Sequence, residues 1–440
     1  MSSKPKSLWR NADFLKLWAG QTISLIGSEV TALALPLTAA LTLNATPAQM
    51  GILGAVQYAP ALLLGLFAGV WIDRVRRRPI LLFADVGRAL LLASIPVAIL
   101  VGAHSMNYLY GVAFAVGALT VLFSVAYQAY LPTLVEKAHL VEANGRLEAS
   151  RVFAFIVGSS LAGALVQILT APIAILADAC SFLVSVFTLA IIRTPEPKPV
   201  RSAERKHIFA EIGEGLRMTF GHALLRPIVI TSAIFNLFAA ILNSLLILYL
   251  VRDLHFSPVI IGVASAIAGV AGLLAAVIVG RVTRWFGVGR TLVVATLLIS
   301  GGWLMVPLTG SFLGPSIPLV TLGASLGAMG DVFYNVNAMS VIQVVTPNRL
   351  RGRVSASVRF TLWGLQPLGA LAGGFIGQTY GLQVALFVSS AGFLSAFLWA
   401  LFSPIRHLRT HPTPADEEND GENDEEDSAT EESVVSAAES

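Results

Sequence analysis

Hydrophobic residues in this chain come in long blocks, and the charged residues are gathered between them. Residues 30–72, 89–135 and 360–405 contain no Asp, Glu, Lys or Arg, 152–192 and 291–348 contain one acid each, and 227–280 is broken only by Arg252 and Asp253. A helix needs about 20 apolar residues to cross a bilayer core of roughly 30 Å, so each block is long enough for two crossings. Residues that break helices fall inside every block: Asn44 to Pro47, Gly102 to Asn107, Thr170 to Pro172, Ser257 and Pro258, Gly310 to Pro318, and Gln378 to Gly381. Six hairpins therefore predict an all-α integral membrane fold with twelve transmembrane helices.

The blocks also repeat. Gly69, ahead of the arginine cluster at 76–78, has a counterpart in Gly280, and Val157, Gly158, Gly163 and Gln167 align with Leu368, Gly369, Gly374 and Gln378, always 211 residues apart. Duplicated six-helix halves are the mark of transporters that rock two bundles about a central site. The expected organisation is an N-terminal tail (1–13), a first six-helix bundle (14–192), a linker (193–225), a second, pseudo-symmetric six-helix bundle (226–404) and a C-terminal tail (405–440). In the linker Ile208, Ile212, Leu216 and Phe220 recur every fourth residue beside charged positions, which predicts an amphipathic interfacial helix. Beyond Pro414 lie 12 of the 26 acids and no cation, the composition of a disordered tail.

Composition agrees with lipid as the solvent: 55% of residues are hydrophobic and only 12% charged. Of the 29 Lys and Arg residues, all but Arg252 lie between hairpins or in the tails. By the positive-inside rule this puts both termini in the cytoplasm, in a multi-pass protein of the inner or plasma membrane. The first apolar stretch is too long for a signal-peptide core and carries no small-residue cleavage site, so it is expected to stay in the mature protein. Cys180 is the only cysteine and all seven histidines fall in expected loops or tails, leaving no framework for a disulfide, a metal or a catalytic triad. No Gly-Lys dipeptide occurs, which removes a phosphate-binding P-loop. The expectation is a protein that is not an enzyme, needs no cofactor and draws on an ion gradient.

Four carboxylates interrupt the apolar spans: Glu29 in the first, Asp85 in the third, Asp178 in the sixth and Asp331 in the tenth. An acid at a helix centre costs on the order of 3 kcal/mol on insertion scales, so such residues usually face a cavity or a partner. Glu29 lies roughly 22 Å along its helix from Phe14 by the helical rise, deep enough to serve as a proton carrier, though a structural hydrogen-bonded role remains open. Asp331 shares its span with Tyr334, Asn335 and Asn337 and suits a substrate face. Asp178 lies closer to a turn and reads equally as a buried cap, an outer gate or a substrate contact. Asp85 precedes Arg88 by three residues near the cytoplasm, the spacing of a local ion pair, and the two are equally candidates for the cytoplasmic gate. Asp73 among Arg74, Arg76, Arg77 and Arg78 offers a switchable ion pair, a gate at the cytoplasmic end of the second span. Small residues repeat every fourth position at Ala154, Gly158 and Ala162 and at Gly369, Gly373 and Gly377, faces that allow close helix packing.

The pattern Gly69-x-x-x-Asp73-Arg74-x-x-Arg77-Arg78, two six-helix halves and a long middle linker resemble the major facilitator superfamily. Gln21-x-Ile-Ser-Leu-Ile-Gly27-x-Glu29, Ala143-Asn144, Glu214-Gly215-Leu216-Arg217 and Leu350-Arg-Gly-Arg353-Val are similar to its macrolide-efflux and enterobactin-exporter branch. The resemblance spans about Trp9 to Arg406. It implies proton-coupled export by alternating access, with substrate between the halves, Asp73 and Arg74 at the cytoplasmic gate, and Glu29 at the acidic position common in that branch. Two departures accompany it. Arg76 stands where the general gate motif has glycine, and the drug-antiporter motif of the fifth span is replaced by Gly158-Ser159 and Ala162-Gly163. The implied partners are a small amphipathic substrate, protons and the lipid bilayer, with no nucleic acid, and the chain is expected to act as a monomer. An efflux antiporter for drugs or macrolides, an exporter of an endogenous compound such as a siderophore, and a transporter-shaped receptor or scaffold all remain open on these residues.

Overall fold

The computed structural model describes residues 8–72, 74–196, 208–309, 316–347 and 350–408. Among them are thirteen α-helices and no strand. The first half holds α1 (Ala12–Leu37), α2 (Pro47–Ile72), α3 (Arg77–Leu100), α4 (Met106–Leu134), α5 (Leu140–Leu169) and α6 (Ala171–Ala190). The linker contributes α7 (Ile208–Gly221). The second half holds α8 (Leu225–Arg252), α9 (Pro258–Phe286), α10 (Val288–Leu308), α11 (Ser316–Val345), α12 (Arg351–Tyr380) and α13 (Leu382–Phe402). The acidic stretch beyond Pro414 and the gate residue Asp73 lie outside the described residues.

Eleven of these helices are long and apolar enough to cross a membrane. The exception among the twelve long ones is α12, which is 30 residues long but carries Arg351, Arg353 and Arg359 toward its start. It packs against α2, α7, α8 and α13, so protein covers much of what lipid would otherwise meet.

The repeat is visible in the helix boundaries. Adding 211 to Leu140 and Leu169 of α5 gives Arg351 and Tyr380, the two ends of α12. The same shift takes Pro47, which opens α2, to Pro258, which opens α9. Proline suits a first helical turn because the amide it lacks would have had no partner there. Thr170 and Gly381, also related by 211, make the turns after α5 and α12 with φ of 87° and 95°. Glycine accepts that backbone freely; a β-branched threonine accepts it only under strain.

The halves meet along two seams, α2 with α12 and α5 with α9. Both seams are tightest at the end of the molecule opposite the linker, and glycine is the reason. A Cβ on Gly163 would fall 2.5 Å from the Pro258 carbonyl oxygen and 3.2 Å from Gly262 Cα. A Cβ on Gly374 would fall 2.8 Å from Gly51 Cα and 3.0 Å from the Pro47 carbonyl oxygen. These are the same contact in its two symmetric copies, since Gly51 plus 211 is Gly262 and Gly163 plus 211 is Gly374. Here too the Ala48 amide donates to Gln378 Oε1 across the seam at 3.5 Å. Without a hydrophobic drive between helices in lipid, such bare backbone surfaces set how closely two helices approach.

The linker helix forms and docks on α12. Gly215 and Thr219 are buried, Gly215 lies against the Arg353 backbone of α12, and Phe220 is left 40% exposed. Glu214 pairs with Arg353, tying the linker to the second half.

Candidate functional site

Two cavities open at the seam between the halves. The larger, about 600 Å³, is built mainly by α8, α9, α10 and α11 of the second half. Its wall is aromatic and amide-rich: Phe235 packs against Tyr334 and Phe393 with ring centres 5.6 Å apart, Trp303 adds an indole, and Asn236 and Asn243 face inward. Asp331 lies exposed on this wall, where Asn335 Nδ2 donates to its Oδ1 at 2.8 Å. The Tyr334 hydroxyl donates to the Ile228 carbonyl at 2.9 Å, which fixes the ring beside it. Gln366 of α12 donates to Asn236 Oδ1 at 2.8 Å and holds that amide in place.

The smaller cavity, about 390 Å³, holds Glu29 together with residues of α2, α5, α8 and α9. Glu29 reaches it because α1 and α5 approach closely: a Cβ on Gly158 would lie 2.6 Å from Glu29 Cβ. The symmetric copy of this contact is Gly369 against Ala240, where a Cβ would lie 3.0 Å from the alanine Cβ. The acid is thus present in one half only, at a position where the other half carries a methyl group.

Sequence spacing missed Arg151. It lies eleven residues into α5, inside the helix, whereas the charge-free block begins just after it and makes it look like a loop residue. Arg151 Nε donates to both Glu148 carboxylate oxygens at 3.0 Å, and both Glu29 and Asp331 lie within range of its charge. With Phe155 and Ser159 it forms one face of α5 at four-residue spacing.

The other sequence-selected residues lie apart from the cavities. Asp85 and Arg88 do pair, but inside the first bundle, and Asp178 joins them. All three are sealed, with exposures of 0%, 5% and 1%. The Arg88 guanidinium is sandwiched between Phe123 and Phe182, 4.4 and 4.1 Å from the ring centres. Ser181 Oγ donates to Asp178 Oδ1 at 3.0 Å, and Gly27 leaves room for that carboxylate, since a Cβ there would come within 2.7 Å of it. One cation and two acids from α3 and α6 thus knit the bundle interior.

Nearer the linker end, Arg78 donates to the Leu189 and Ala190 carbonyls at 3.1 and 2.7 Å. The backbone amides of Arg77 and Arg78 donate to the Glu196 carboxylate at 2.6 and 3.2 Å. A carboxylate at a helix N-terminus satisfies its free amides and its dipole, and here it fastens the start of α3 to the chain after α6. Arg74 is exposed beside them.

Residues 17–367 match the family model of the Major Facilitator Superfamily. The chain belongs to that family. It is a transporter, not an enzyme. Among curated relatives, the multidrug efflux pump Tap of Mycolicibacterium fortuitum is 25% identical over 394 residues, covering 87% of this chain and 93% of that one. Tap of Mycobacterium tuberculosis (strain ATCC 25618 / H37Rv) is 27% identical over 416 residues, covering 92% and 96%. The solved nucleoside transporter NupG shares the fold with a TM-score of 0.72 at 13% identity, covering 88% of this chain and 98% of that one. A bacterial homologue of the iron transporter ferroportin in an inward-facing state gives 0.69 at 19%, covering 90% and 99%. The two solved structures share the fold of this chain.

Proposed function

We propose that this transporter exports a small amphipathic compound, of the drug or macrolide type, in exchange for protons. The observation that carries the reading is the pair of adjoining cavities at the seam of the halves, one holding Glu29 of the first half and the other Asp331 of the second. An aromatic and aliphatic wall with a few amides and one carboxylate suits a ligand with a broad apolar face and a polar or cationic group. At about 600 Å³ the larger cavity is of drug size. The relatives named as multidrug efflux pumps support the same direction of transport.

The cation bias supports an orientation with the linker end, both tails and the gate arginines in the cytoplasm of an inner or plasma membrane. Substrate then enters from the linker end while the glycine seams keep the far end shut. Rocking of the halves at 14–192 and 226–404 exposes the cavity to the other side. Glu29, on a first-half helix that faces the cavity, takes a proton from outside and gives it up inside. One proton moving down 100 mV supplies about 2.3 kcal/mol, enough for a roughly 50-fold gradient of a neutral substrate.

A compound-resistance panel in an efflux-deficient host tests the reading. Wild type should raise tolerance to a set of amphipathic compounds, and Glu29→Gln should abolish the gain at equal expression. Equal resistance from both proteins would remove Glu29 from the mechanism, and no resistance from either would remove drug export.

A further inference from the structure

The two cavities adjoin and share part of their lining. Five residues line both: Phe155, Asn243, Leu246, Ile247 and Ser265. Four of these belong to α8 and α9 of the second half, and Phe155 alone comes from the first. Its side chain crosses the seam from α5 to α9 and settles on bare backbone at Gly269, where a Cβ would lie 2.8 Å from Phe155 Cδ1. The residue is 39% exposed and lines both cavities. The repeat reverses this arrangement at the other seam: Gln366 stands in the place of Phe155 and Tyr58 in the place of Gly269.

We infer that Phe155 is a movable partition that divides the site into a proton chamber around Glu29 and a substrate chamber around Asp331, and so limits substrate size. The inference rests on the transport reading above. Either chamber alone, about 390 or 600 Å³, lies in the lower part of the range for drug sites, and the two joined lie near its top. Compounds that fit the substrate chamber leave the ring seated. A bulkier compound, such as a macrocycle, has to displace the ring and spread into the proton chamber. A phenylalanine ring on a glycine can turn about two torsions, which makes it a wall that yields at modest cost. With the ring seated, Glu29 is screened from the ligand. With it displaced, ligand and proton contend for one space.

The test uses the full-length protein with Cys180→Ser, one cysteine in each chamber (Gln57→Cys and Ala328→Cys) and a protease site in the linker. A flexible bis-maleimide should bridge the two cysteines poorly when Phe155 is present and several-fold better with Phe155→Ala, read as halves that stay joined after cleavage. Gly269→Ala, which unseats the ring while favouring helix, should give a yield between the two and guards against a folding defect in Phe155→Ala. Single cysteines should react with a small maleimide at the same rate in all three backgrounds. Equal bridging in wild type and Phe155→Ala overturns the partition, as does a single cysteine that fails to react in wild type. Transport is then compared for ethidium, tetraphenylphosphonium and erythromycin. Phe155→Ala should raise erythromycin flux relative to ethidium several-fold, and an unchanged ratio overturns the size limit. If wild type moves none of the three while bridging behaves as expected, the partition stands and drug export fails.

Discussion

Adding one methyl group at Gly374 should push open the end of the molecule opposite the linker. Its Cβ would lie 2.8 Å from Gly51 Cα, 3.0 Å from the Pro47 carbonyl oxygen and 3.2 Å from that of Ala48. All three are backbone atoms of α2, so no side chain can turn aside, and α12 must draw back from α2. Overpacking of this kind costs about 1–3 kcal/mol. Because the strain is felt only where the seam is closed, that free energy biases the conformational equilibrium and lowers the closed population by roughly 5- to 150-fold relative to the open one. Gly163→Ala should act alike, with the Pro258 carbonyl oxygen at 2.5 Å from the new Cβ, whereas Gly301→Ala has nothing within 4 Å and serves as the control. The assay is labelling of Ala48→Cys, in a Cys180→Ser background, by an impermeant thiol reagent applied to intact cells. The rate should climb for Gly374→Ala and Gly163→Ala and stay at the parent value for Gly301→Ala. Labelling unchanged in all three, or raised equally in the control, would refute the view that the glycine pairs hold the seam shut.

Removing the guanidinium by Arg88→Met leaves Asp85 and Asp178 without their cation in a sealed interior, a loss of about 3–5 kcal/mol that should lower the melting temperature in detergent, with Asp178→Asn restoring part of it; an unchanged melting temperature counts against the cluster as a stabilising knot. Thr170→Gly should relieve about 1–2 kcal/mol of backbone strain at φ 87° and raise the melting temperature, and a fall would show that the threonine side chain matters more than its backbone. Asp73→Asn should express near normally yet lose most transport, and cysteine labelling of the two vestibules should shift; unchanged flux and labelling would remove it from the gate.

The twelve spans and the 211-residue repeat were readable because bilayer thickness dictates helix length and because turns need residues that break helices. The same rule concealed Arg151 and Arg359. A charge in the sequence reads as the edge of a span, yet α5 and α12 begin eleven and eight residues before those arginines. The Asp85–Arg88 pair followed from spacing within one helix, while the arrival of Asp178 depends on how α3 meets α6, which no local spacing encodes. Glu29 and Asp331 stood out because an acid in an apolar span is expensive, and both line the cavities. Phe155 had no such signal among 23 phenylalanines. The contact of α7 with α12 had no signal in the stripe, because it depends on Gly215 letting the helix approach the Arg353 backbone.

Proton flux in everted membrane vesicles tests the central claim most directly. With the cytoplasmic face turned outward and the lumen acidified, a transported substrate added to the medium should enter in exchange for lumenal protons and collapse part of the pH gradient. Glutamine keeps the shape and much of the hydrogen bonding of glutamate without titrating. Vesicles carrying Glu29→Gln should therefore bind substrate and leave the gradient intact. Dissipation by Glu29→Gln at the wild-type rate would contradict the account, making Glu29 a structural residue and passing the proton to Asp331.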